Sequence, residues 1–316
     1  MSTYTVKKYH KNDYKLWNEF ISQAKNATFL FHRDFMEYHQ DRFEDFSLLV
    51  FEGEKLKVVL PANKVGNAVH SHKGLTYGGL VYSHKLEAEK AELILDEIVL
   101  FLKENSIENF HYKPIPGFYF AEGNQEIDFF LFQKGALLER KEMNLCINLT
   151  LPLQISKSKM KHFRRIENLD LDIIEEQDFE PFWTTILEPR LLEKFNAQPV
   201  HTLQEISLLK QKFPQNIKQY SVYQNDEIIA GITIFETKNG VKSQYGATSD
   251  KGEQVRALDF LFINLLHRYK RKGKLFFDMG IVNDENEKGY SSGLLKQKEE
   301  LGCKVYNQDF YKITLI

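Results

Sequence analysis

Apolar positions along the chain alternate between short strand-like runs and longer stretches at helical spacing. A first strand is predicted over 4–8. Asp13 then caps a helix that places Trp17, Phe20, Ile21 and Ala24 on one face. Thr28 starts a second helix carrying Phe35, Met36 and His39. Strands over 46–51 and 56–62 are joined by Glu52-Gly53-Glu54-Lys55, a hairpin junction. The polar stretch 70–79 is irregular and ends in Tyr77-Gly78-Gly79. A long helix over 85–104, a strand over 109–113, a helix over 127–134 and a strand within 136–149 complete this half.

The second half repeats the order. Strands over 220–223 and 228–236 flank Asn225-Asp226, and a strand over 241–247 contains Tyr245-Gly246. A helix over 255–270, a strand over 274–279 and a helix over 292–301, closed by Gly302, follow. The last strand, 305–316, is expected to break near 307–309. LTYGGL answers SQYGAT, and NFHYKP answers LFFDMG. The expected fold is α/β, a mixed-sheet unit used twice, with domains 1–150 and 151–316. A TIM barrel needs more βα units, and no GxGxxG turn marks a dinucleotide-binding domain.

At 316 residues the chain is long enough for two cores without disulfides or metals. Its 25 Phe and 15 Tyr predict aromatic-rich cores. A formal net charge of -2 gives no global footprint for a long nucleic acid. Cys146 and Cys303 lie in strand-like segments and are read as buried free thiols. No Cys/His spacing suggests a zinc site, so no metal is expected. No apolar stretch is long enough to span a membrane and the N-terminus has no signal-peptide core, so the protein is read as cytoplasmic.

Against this near-neutral background, Lys157, Lys159, Lys161, His162, Arg164 and Arg165 crowd the junction between the halves, with Ser156 or Ser158 available as a helix cap. Lys161 shares a helical face with Arg164 or Arg165, and such a group binds phosphate. The alternative is a solvated linker helix whose arginines meet acids such as Glu175 and Glu176. A helix starting near 253–255 offers N–H groups to a phosphate, helped by Arg256 and by Gly252. Asp278 sits in an apolar strand, where it orients an amine, accepts its proton, or caps a turn. Lys296 shares a helix with Glu299 and meets an anion or only solvent. Tyr77 and Tyr245 each precede a glycine, Gly78 and Gly246, which lets a ligand or backbone come close, and each phenol can donate to an oxyanion or fill a core. His70 and His72 flank Ser71; His72 is either a general base or a loop histidine without chemistry.

Five blocks then carry a resemblance: LTYGG, SKSKMKHFRRIEN, QYGATSDKGEQVRALDFLF, FFDMG and GLLKQKEELGCKVYNQDFYKI. In this order they are similar to the FemAB-like peptidoglycan-bridge aminoacyltransferases and their acetyltransferase relatives, which double a GNAT-type unit. The resemblance implies transfer of an acyl group to an amine. It implies acetyl-CoA or another acyl-CoA as co-substrate in some branches and aminoacyl-tRNA in others. The acceptor it implies is a small-molecule amine on a sugar-linked, phosphorylated or nucleotide-linked cell-envelope precursor. It places the helix start near 253–255, with Gly252 and Arg256, at the donor and raises Lys296 as a substrate contact; the residues themselves favour Tyr245, beside Gly246, for donor contact, Tyr77 for acceptor contact and Asp278 at the reacting centre. A long helical-hairpin arm, seen in several tRNA-using relatives, is missing. A non-catalytic protein that binds a glycan precursor is the reading from another class.

Overall fold

The buried face of the long first-half helix is the one its spacing dictates: Ala91, Ile94, Leu95, Ile98 and Leu102. It shares one core cluster with Val58, Leu60, Phe110 and Tyr112 of the strands. The computed structural model describes residues 4–83, 86–120, 126–167 and 169–315, so Lys85 of the expected helix lies outside it. The chain divides into two units, Met1–Glu142 with Asn307–Ile316, and Met143–Tyr306.

In the first unit the order is β1 (Tyr4–Lys8), α1 (Tyr14–Gln23), α2 (Arg33–Met36), β2 (Glu44–Asp45), β3 (Leu48–Glu52), β4 (Lys55–Leu60), β5 (Asn63–Val65), β6 (Ala68–His70), β7 (Val81–Tyr82), α3 (Ala88–Glu104), β8 (Asn109–Tyr112), α4 (Glu126–Gln133) and the start of β9 (Leu137–Asn148). One sheet runs β1-β3-β4-β7. In the other, β6 lies parallel to β8, and the hairpin partner β5 and then β2 follow. The expected hairpin is β3–β4, closed through Gly53 at φ +59°. The hairpin β5–β6 was not expected, because its strands are short and one face is polar. Asp13 stands at the start of α1 but does not cap it; its carboxylate takes Lys7 Nζ at 2.8 Å and the His10 N–H instead.

The second unit holds α5 (Lys157–Ile166), β10 (Asp172–Glu176), α6 (Glu180–Phe182), α7 (Glu188–Phe195), α8 (Leu203–Lys212), β11 (Ile217–Gln224), β12 (Glu227–Glu236), β13 (Gly240–Thr248), α9 (Asp250–Val255), α10 (Ala257–Arg271), β14 (Phe276–Ile281) and α11 (Ser292–Glu300). Its strands run β10-β11-β12-β13-β14 and then the end of β9. The expected neighbours β12 and β13 are antiparallel. Nearly every turn of α10 contributes to the core, from Ala257 through Leu261 and Leu265 to Tyr269.

The elements between 172 and 212 have no counterpart in the sequence reading. Pro181, Pro189 and a π-helical turn at Trp183–Leu187 break the helical period there. The expected break near 307–309 is corrected: β15 (Lys304–Thr314) is continuous, and its far part pairs antiparallel with β8 of the first unit. The polar residues that suggested a gap have partners, since Gln308 Nε2 donates to Pro114 O at 3.1 Å and Asp309 takes Lys141 Nζ at 2.5 Å. Cys146 and Cys303 are buried free thiols, the latter 3.3 Å from Met279 Sδ. Among the described residues no helix is long and apolar enough to cross a membrane.

Candidate functional site

β13 and β14 run side by side only briefly. Their parallel ladder joins Gly240–Lys242 to Phe276–Asp278 and stops. Beyond it β13 continues to Thr248, with a register shift that leaves Gln244 bulged against β12. An edge opens between two parallel strands, the usual place for chemistry in α/β sheets.

Charged side chains close the bottom of this opening. Asp278 is 1% exposed and accepts from Lys242 Nζ at 3.2 Å and from Gly280 N at 2.7 Å. Gly280 has φ +74°, so the chain turns sharply just past the carboxylate. α11 then supplies Lys298, only 7% exposed, whose Nζ donates to the carbonyls of Gly280 and Ile281 at 3.1 and 2.9 Å. Burial, and after it the charge of Lys242, holds this ammonium down to about 8. Opposite Ile281, on β9, Asn144 is buried and its Oδ1 has no partner among the described residues. An ammonium donor and an amide acceptor thus lie where the ladder ends.

Beside the opening is a cavity of about 460 Å³, lined by Gly246, Thr248, Arg256, Arg190, Lys194 and Gln297 among others. A Cβ at Gly246 would meet Ile232 and Phe262 at 3.6 Å, ordinary contact, so packing alone does not demand the glycine. Gly252 is a glycine for packing, since a Cβ would lie 2.1 Å from Ile229 O. Ser249 caps α9, and Arg256 then takes a left-handed turn at φ +58° to start α10. A non-glycine there is disfavoured by roughly 1 kcal/mol. The start of α10 and its arginine therefore face the same cavity.

The basic helix α5 is capped by Ser156, one of the two serines expected. Its Lys159 is buried and places Nζ 2.7 Å from both oxygens of Asp259, in the first turn of α10. Lys161, Arg164 and Arg165 are exposed on its other side. The His162 imidazole is held below its ordinary value by desolvation and then by Arg256, Arg165 and Lys161, which puts the basic face within electrostatic reach of the cavity arginine. Glu175 pairs with Lys218 and Arg268, not with the α5 arginines.

Other sequence candidates lie elsewhere. Tyr245 is tied to His201, with its oxygen 2.6 Å from Nδ1 and 3.2 Å from the backbone N–H. The backbone N–H donates to the phenol, and burial pushes the phenol up to about 12. Lys296 is exposed, two residues from the buried Lys298. In the first unit Tyr77 is buried and donates to Thr28 Oγ1 at 2.9 Å. His72 is buried at φ +75°, its Nδ1 accepts from Gly74 N at 3.2 Å, and burial drives it down to about 3, which makes it a poor base at neutral pH.

The matching position of the first unit is closed. Tyr112 of β8 takes the Leu80 N–H on its phenolic oxygen at 3.1 Å, and the adjoining cavity measures about 90 Å³. That space is too small for a cofactor-sized ligand, whereas the second unit's cavity is of ligand size. Sequence reasoning missed Lys298, Lys242, Asn144, Arg190 and His201. The only signal for Lys298 was a lysine on the inward side of GLLKQKEELG.

No family model matches the sequence, and no curated protein sequence does. Solved structures do match. FemX superposes with a TM-score of 0.71 at 10% identity, covering 98% of this chain and 97% of that one. The C-terminal domain of a putative lysylphosphatidylglycerol synthetase from Agrobacterium fabrum gives 0.60 at 12% identity, covering 95% and 91%. A tandem GNAT protein from the clavulanic acid biosynthesis pathway gives 0.55 at 9% identity, covering 99% of each chain. The strands that open at Lys242 and Asp278, and the repeated sheet-and-helix order around them, are therefore those of a FemAB-like tandem GNAT fold.

Proposed function

We propose that the protein is an N-acyltransferase that moves an acetyl group from acetyl-CoA to an amine on a sugar-linked cell-envelope precursor. The observation that carries this reading is the opening between β13 and β14, floored by Lys242–Asp278 and Lys298 and flanked by the cavity at Arg256. The donor's phosphates lie at the start of α10 against Arg256, and its acyl carbonyl enters the opening. The neutral amine attacks that carbonyl. A C–N bond forms, the C–S bond breaks, and the proton of the amine leaves through water. Lys298 donates to the oxyanion, Asn144 Oδ1 takes an N–H of the incoming amine, and Asp278 positions Lys242. Asp278, buried with each oxygen in a hydrogen bond, is given the positioning role in this reading.

One observation favours a second donor. The exposed Lys161, Arg164 and Arg165 suit the 3′ end of an aminoacyl-tRNA, which undergoes the same attack at an ester. Free thiol released from acetyl-CoA in the presence of a panel of amino sugars separates the two. Release with amines supports the CoA donor; transfer only from aminoacyl-tRNA replaces it.

Arg256 supplies a test that keeps stability and binding apart. Arg256→Gly relieves the left-handed strain, so the melting temperature is expected to hold or rise. Donor affinity is expected to fall by about tenfold, the loss of one charge-assisted contact. Unchanged affinity by calorimetry removes Arg256 from the donor site. If the α5 face contributes, R164A/R165A raises KM for the donor and the effect shrinks at high salt.

A further inference from the structure

A second ligand-sized recess, of about 590 Å³, lies within the first unit. Its wall is built on the sheet face opposite the core. Phe110 and Tyr112 of β8 point into the core, so His111 between them points away. His70 of β6 is its register partner, and the two rings stack at 4.3 Å and 16°. Glu139 Oε2 lies 2.8 Å from His111 Nδ1, while burial and then the charge of His111 push His70 down to about 4. The acid of the recess is thus engaged by one imidazole, and the other stays neutral.

The remaining charges are positive. Lys73, Lys113 and Arg140 line the same recess. Lys113 Nζ donates to Leu75 O at 2.7 Å, which anchors the ammonium in the wall. The Arg140 guanidinium lies 4.0 Å above the Phe310 ring, a flat platform that leaves its N–H edges pointing outward, and one of these meets Glu142 at 3.0 Å. Behind the wall, an asparagine holds the Lys73 backbone in place. Asn63 stands opposite His70 across the β5–β6 ladder, is fully buried, gives its Oδ1 to Lys73 N, and has an Nδ2 with no partner among the described residues. The recess is rich in donors and poor in acceptors.

We infer that this recess binds a phosphorylated small molecule of about hexose-phosphate size. Three cations suit a dianion with several acceptor oxygens, and the volume falls within the usual range for small-molecule sites. The site is contained in the first unit and does not depend on the transfer reaction proposed for the second. A protein that binds the phosphate but transfers no acyl group leaves this inference standing.

Calorimetry on the full chain tests it with glucose 6-phosphate, glucose and citrate as probes. Saturable binding of glucose 6-phosphate, absent for glucose, is the expected result. Lys73→Gln and Arg140→Gln alter exposed side chains and are expected to leave the melting curve in place, while each weakens binding about tenfold. Preferential binding of citrate overturns the phosphate assignment. Failure of glucose 6-phosphate to bind, or equal binding by wild type and K73Q/R140Q, overturns the site.

Discussion

Lys298→Met is expected to lower kcat by roughly a hundredfold to a thousandfold, the usual cost of removing one oxyanion donor. The side chain is 7% exposed, stands at the end of the β13–β14 ladder, and is held by two backbone carbonyls. The same residue sets a pH limit. In the proposed transfer its ammonium is the active form, and since it is held down to about 8 it is present below pH 8 and lost above it. The rate therefore rises with pH as the substrate amine becomes neutral, and falls again near pH 8. In the variant the alkaline fall disappears. Stability moves in the opposite sense. The unfolded lysine keeps its proton up to about its ordinary value of 10.5, so folding pays a penalty below pH 8 that fades as pH rises from 8 toward 10.5. Removing the amine should hold or raise the melting temperature at neutral pH. An unchanged kcat with an intact pH profile would remove Lys298 from the reaction.

Lys159→Met is expected to destabilise the second unit by about 3–5 kcal/mol, because it leaves the Asp259 carboxylate beside α10 without its buried cation. Asp259 also lines the cavity, so donor binding weakens along with the fold. The double variant Lys159→Met with Asp259→Leu removes both charges and should recover most of the stability but not the binding. Denaturant unfolding of the single and double variants measures both effects. A single variant as stable as wild type would show that α5 is not pinned to α10 by this pair.

The basic segment 157–165 shows how residues of one type divide once folded. All six cationic or imidazole side chains look alike in the sequence. The turn of α5 buries Lys159 with Phe163 and Ile166 and leaves Lys161, Arg164 and Arg165 outside. Likewise Lys296 and Lys298 differ by two positions on α11, and only the latter faces the strand ends. Tyr77 and Tyr245 match in sequence context, yet one is a core residue on Thr28 and the other is bound to His201.

The sequence by itself determined the repeated order of elements, the β3–β4 and β12–β13 hairpins, the long apolar faces of α3 and α10, and the two buried thiols. These follow from local period and turn chemistry, which neighbours in the chain suffice to specify. Tertiary structure decided the rest. It buried Lys298 and Asn144 and left Lys296 exposed, buried Asp278 under Lys242, closed the first unit's opening with Tyr112, and built a recess from His70, His111, Arg140 and Phe310. Each of those outcomes depends on residues far apart in the chain, and burial of a charge or a donor has no meaning until the strands that bury it have paired.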